Sequence, residues 1–190
     1  MNTKIFLLAF FMMLMAESAH AELDFLAGIG LHSGGDNVVT ATFTDGSTED
    51  LKAGEFLTLD FGAAWDLGIL EARATAGWKY DTITATNGDL NFSRYTGQFL
   101  LLFAVDDWRF GGGTAYHFNI ELEGSGVATS ASAEYDDALG YVAEIDYYFN
   151  EKAYVGLQYT NIEYDRLATL GQTAATFDAS SIGIVFMGRW

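Results

Sequence analysis

One histidine lies well inside an alternating run of this chain: His117, with Asn119 and Glu121 two and four residues on. Imidazole, amide and carboxylate are parts from which a nucleophilic centre could be built. Such a centre also needs a hydroxyl within hydrogen-bond reach of the ring. No serine stands at His117's height on its own run or on either predicted neighbour, and parity puts the ring on the polar side. That pattern fits a satisfied interior histidine, so no catalytic residue is assigned.

A second set of chemistry-bearing residues is ionic. Asp60, Glu71, Arg73, Lys79, Arg109, Glu121, Glu144, Asp146 and Arg189 all fall on the polar parity of their runs. If that parity faces an enclosed interior, the charges must pair, because an unpaired buried charge is costly. The expected outcome is an ion network of Asp60, Glu71, Arg73, Arg109, Glu144 and Asp146, centred on Arg73, with Asp60, Arg73, Glu144 and Asp146 near mid-height. Asp24 and Arg189 lie at matching ends of the first and last runs and are expected to pair across the seam of a closed sheet. Asp36, Asp45, Glu49 and Asp50, and then Glu123, Glu134, Asp136 and Asp137, make two connections acidic, as solvated loops commonly are. No spacing among them matches a calcium loop, so no metal is assigned, and no cofactor is expected.

The elements that position these groups follow from period-two alternation. Eight runs alternate: 23–32, 55–65, 69–81, 92–105, 108–122, 138–149, 154–164 and 181–190. The connections alternate between short (Asp66–Gly68, Asp106-Asp107, Asn150–Lys152) and long, the long ones beginning near Ser33, Thr82, Glu123 and Arg166. The first long connection holds a β-prone stretch, Val38–Thr44, before an Asp45-Gly46 turn pair, and is expected to form its own hairpin. Each run is apolar on one side, and its middle lacks Asp, Glu, Lys and Arg there. Aromatics gather near the run ends: Trp65, Trp78, Tyr80, Tyr95, Phe110, Tyr147, Phe149 and Trp190. A soluble barrel turns its apolar face inward. An uncharged band flanked by aromatic girdles instead suits lipid outside, and backbone in hydrocarbon must close on itself.

Composition agrees. The 190 residues fit one domain, and they include no cysteine and no proline. Proline would remove ladder donors from a strand-rich fold. A net charge of −17 argues against nucleic acid, whose phosphates need Lys and Arg. Residues 1–21 read as a secretory signal peptide, with Lys4, a short apolar core and an Ala19-His20-Ala21 cleavage site, leaving 22–190 as the barrel domain.

The last run places Ile182, Ile184, Phe186 and Trp190 on one face. It resembles the C-terminal strand of bacterial outer-membrane β-barrels, where such residues form the assembly signal. The chain from residue 22 is similar to small eight-stranded barrels of the OmpA/OmpX type, without a family-specific signature beyond architecture and that strand. The resemblance implies an all-β, antiparallel up-and-down transmembrane barrel in the bacterial outer membrane. It also implies the barrel assembly machinery, outer-membrane lipids and lipopolysaccharide as partners, and a monomer. A closed lumen with four external loops, in a structural or surface-interaction role, is the expected function. A small pore, or a lipid A or phospholipid acyl-modifying enzyme using His117, are the alternatives.

Overall fold

A computed structural model describes residues 22–43, 45–168 and 174–190. The expected signal peptide lies outside the described residues. Among the described residues thirteen strands form: β1 (Glu22–Ser33), β2 (Asn37–Thr42), β3 (Thr48–Lys52), β4 (Phe56–Asp66), β5 (Leu70–Ala85), β6 (Gly88–Val105), β7 (Trp108–Gly124), β8 (Ala133–Tyr135), β9 (Ala138–Asn150), β10 (Ala153–Asn161), β11 (Glu163–Arg166), β12 (Ala175–Asp178) and β13 (Ser181–Arg189). Eight of them close a barrel in the order β1-β4-β5-β6-β7-β9-β10-β13, every pairing antiparallel. β8, β11 and β12 extend the last three staves past short breaks. β2 and β3 pair only with each other, as the hairpin expected around Asp45-Gly46.

Closure is completed where β1 meets β13. Leu26 stands opposite Arg189 and Ser33 opposite Ile182. Phe25 and Trp190 exchange backbone hydrogen bonds of 2.9 and 3.1 Å. Every described edge of the barrel wall is thereby paired through the spanning region, as a hydrocarbon solvent demands.

The exterior is apolar. Phe61 is 65% exposed, Phe99 48% and Ile184 49%, with Phe25, Leu101, Leu157 and Phe186 exposed on the same surface. Stacked or tilted aromatic pairs sit on it, such as Trp108–Tyr147 at 5.0 Å and Tyr95–Phe118 at 5.6 Å between centroids. A soluble protein cannot present such a belt to water, so the wall is membrane-spanning.

The two ends differ. At one, Asp106-Asp107 turns the chain tightly, with Asp106 at φ +52, and Gly68 takes φ +86 in the turn before β5. At the other, β5, β6 and β7 run well past their neighbours, the β5–β6 pairing reaching Ala85 opposite Gly88. One stave is re-aimed on the way. On β7, Asn119 takes φ +51, and Asn119 and Ile120 together stand opposite Arg94 alone on β6. This bulge inverts parity beyond it: Ile120 and Leu122 turn inward, and Asn119 is exposed. Glu121, placed in the lumen by simple alternation, is therefore outside it. The acidic stretch after Glu123 is more ordered than a plain loop, with a 3-10 turn at Gly126–Ala131 and then β8.

Candidate functional site

The barrel interior falls into three tiers. Nearest the short turns lies the ionic one. Arg73, on β5, is 1% exposed. Its guanidinium donates to Glu71 Oε1 at 2.7 and 3.1 Å, to Asp146 Oδ2 at 2.9 Å and to Glu144 Oε1. The ring of Tyr154 lies 4.6 Å beneath it. Gln158 donates to the other oxygen of Glu144. Arg189 joins this set to the seam, with Asp24 at 2.6 Å on one side and Glu71 at 2.8 Å on the other.

Two of the residues expected in the network stand apart from it. Arg109 reaches Glu71 only at 3.9 Å; it lies over the Tyr148 ring and donates to the carbonyls of Asp106 and Trp108. Asp60 makes no ion pair among the described residues. Register explains this. Arg73 lies opposite Ala64, three residues from the β5 start, whereas Asp60 lies opposite Gly77, higher in the barrel. The network thus sits toward the short turns rather than at mid-height. Asp60 instead borders a void of about 20 Å³ with Arg73, Gln98 and Gln158, room for about one water.

Above this comes a cationic tier. Lys79 and Arg94 are both buried, and neither has a carboxylate oxygen within 4 Å among the described residues. Their charges are met by carbonyl dipoles of the segment between β3 and β4. Lys79 donates to Gly54 O at 2.6 Å, and Arg94 to Ala53 O and Glu55 O, each at 2.7 Å. Arg94 also lies over the rings of Phe92 (4.6 Å) and Tyr164 (5.7 Å). Three consecutive residues are therefore drawn across the barrel mouth. Alternation along Phe92, Arg94, Thr96 and Gln98 would have revealed Arg94 as an interior cation. His117 hydrogen-bonds the Tyr164 hydroxyl through Nδ1, with neither Asn119 nor Glu121 beside it in the lumen. No Ser-His-carboxylate arrangement is assembled there among the described residues.

The outermost tier is apolar. Leu51, Ile83, Leu90, Phe92, Ile120, Leu122, Tyr135, Ile162 and Tyr164 form a buried cluster, onto which Val38, Val39, Ala41 and Phe43 of the β2–β3 hairpin pack. Alternation places the charged residues on the interior parity of the spanning runs. Beyond the spanning wall the same parity meets a packed hairpin instead, and apolar side chains fill the space. Around the rim, Asp36, Asp45, Glu49, Asp50, Glu123, Glu134, Asp136 and Asp137 are exposed or partly exposed. Hydrogen bonds from Ser47 hold the Asp45 carboxyl below its usual range, and those from Ser180 do the same for Asp178. No cluster of three or more His, Cys, Asp or Glu suited to a metal occurs among the described residues.

No protein-family model matches the chain, and no curated protein matches its sequence. Solved structures do. Ail, the attachment invasion locus protein of Yersinia pestis, aligns at a TM-score of 0.56 with 11% identity, over 90% of this chain and 99% of that one. The fold is that of a small outer-membrane β-barrel. The figures are the same for Ail in complex with the heparin analogue sucrose octasulfate. OprH from Pseudomonas aeruginosa aligns at 0.49 with 14% identity, over 86% of this chain and 99% of that one. At 11% identity the likeness to Ail is one of fold alone.

Proposed function

We propose that this chain is an outer-membrane barrel with a closed lumen, whose role is structural or surface-interacting and is exercised through its long-loop end. Short turns on the periplasmic side and long loops outside are the usual orientation of such barrels. The observation that carries the reading is the filled interior. Arg73 and its three carboxylates bar the lumen near the short turns, and the apolar cluster under the β2–β3 hairpin closes it at the other end. An eight-stranded barrel is only wide enough for side chains to fill.

Membrane lipid is the medium of the apolar belt. Lipopolysaccharide at the outer rim, the barrel assembly machinery acting on the Ile182, Ile184, Phe186 and Trp190 face, and a monomeric state complete the proposal. All four of those residues are exposed on the lipid side. The polyanion bound by Ail is an unfavourable guide to a ligand here, because this chain carries −17 and its rim is acidic. Planar-bilayer recording on refolded protein tests the reading. Bilayers that stay electrically silent are expected; a persistent single-channel conductance would replace the closed barrel with a pore.

A further inference from the structure

A groove of about 910 Å³ opens at the long-loop end, against the packed apolar tier, whose Ile83 and Leu90 help line it. Val39, Ala41 and Phe43 of the hairpin form one wall, Ile83 and Ala85 of β5 another, and Val127 of the 3-10 turn a third. Val127 is 71% exposed, so the groove presents apolar surface that no described residue covers. Apolar concavities of this kind are binding sites far more often than ordinary surface is.

Two further observations say what kind of molecule fits. The first is charge. Asp45 follows Phe43 by two residues, Glu49 stands opposite Ala41, and Asp50 accepts a 2.6 Å hydrogen bond from Thr40 across the hairpin. Asp89 adjoins Gly88 of the groove, and Glu123 stands opposite Asn91. The one lysine of the hairpin, Lys52, is engaged by Glu55 at 3.6 Å. The groove is therefore apolar at its floor and anionic at its border, which repels phosphate and sulfate groups and attracts amines and guanidines.

The second is the backbone. The β4–β5 pairing stops at Leu57 opposite Tyr80, whereas β5 continues beside β6 to Ala85. From Asp81 to Ala85 the other edge of β5 has no strand partner among the described residues, although Asp81 Oδ1 takes up the Thr82 amide at 2.8 Å. β2 likewise pairs with β3 alone. Bare strand edges beside a groove offer main-chain donors and acceptors, which an extended peptide can use and an acyl chain cannot.

We infer that this groove docks an extended, cationic and apolar polypeptide segment of a partner outside the cell. Its alternate apolar side chains lie along Phe43, Ala85 and Val127, over the buried Ile83, and its Lys or Arg side chains meet the acidic border. The inference rests on the proposed closed barrel with its long loops outward.

The test uses protein refolded in phosphatidylcholine nanodiscs and three fluorescent peptides, alternating Lys/Val, Glu/Val and Lys/Ser. Fluorescence anisotropy is expected to show Lys/Val binding, with the other two weaker by about tenfold or more. Filling the groove with Ala41→Trp, or reversing its border with Glu49→Lys plus Asp50→Lys, should each weaken Lys/Val by about tenfold. Glu151→Lys, at the opposite end, should leave it unchanged. Equal binding of Lys/Ser, indifference to Ala41→Trp, or no binding would overturn the inference. So would preference for Glu/Val, or competition by lipopolysaccharide as the better ligand, which would assign the groove to an anionic amphiphile. Each refolded sample is also scored for heat-modifiable mobility and conductance. A closed, silent barrel that ignores the peptide refutes the groove alone, whereas a conducting one refutes the barrel reading with it.

Discussion

Replacing Arg73 by methionine isolates what the ionic tier contributes. Among the described residues Arg73 is the sole cation within 4 Å of Glu144 and of Asp146, while Glu71 keeps Arg189 at 2.8 Å. The change therefore strands two buried carboxylates and spares the third. Breaking one buried pair by deleting a partner costs about 3–5 kcal/mol, because the remaining charge has lost its compensation. Arg73→Met should cost at least that range's lower end, about 3 kcal/mol, which is more than a hundredfold in the folding constant. Neutralising what is left should recover much of it, so Arg73→Met with Glu144→Gln and Asp146→Asn is expected to lie closer to wild type than the single variant. Urea titration in phospholipid vesicles, followed by tryptophan fluorescence from both the folding and unfolding directions, measures both. A single-variant loss below about 1 kcal/mol would show that the tier is solvated like a surface ion pair. Absence of rescue in the triple variant would refute the compensation argument.

The same titration separates other contributions. Asp24→Asn at the seam should cost only about 1 kcal/mol or less, since the Asp24–Arg189 pair is partly exposed and Arg189 keeps Glu71. Ile184→Arg, on the exposed outer face, should cost about 2–4 kcal/mol in bilayers if it lies near the midplane. Gly183→Val should block folding or displace His32, whose ring occupies the space a Cβ would need; a normal unfolding midpoint would contradict the packing there.

Period-two alternation made the barrel legible because lipid outside and side-chain packing inside impose opposite chemistry on successive residues. Leu57, Leu59, Phe61 and Ala63 alternate cleanly, and β4 forms where they lie. The pairing of Asp24 with Arg189 was also readable, since closure makes the first and last staves neighbours whatever the register. Height was not readable. Placing Asp60 beside Arg73 needed the stagger between β4 and β5, which depends on turn geometry and not on pattern. The reversal at Asn119 was hidden for a related reason: a bulge adds one residue to the count without changing residue type, and nothing around Asn119-Ile120 marks it. The outer apolar tier escaped because Leu51, Ile83 and Leu90 lie beyond the runs from which interior polarity was judged.

Sidedness is the claim on which everything else stands, and site-directed quenching reads it directly. The chain has no cysteine, so single cysteines at Phe61, Phe99 and Ile184, and at Leu100 and Val185 as interior positions, can each carry one fluorophore. In vesicles containing acyl-brominated lipid, the account predicts strong quenching at the first three and little at the last two. Quenching confined to Leu100 and Val185, or equal at all five, would contradict it.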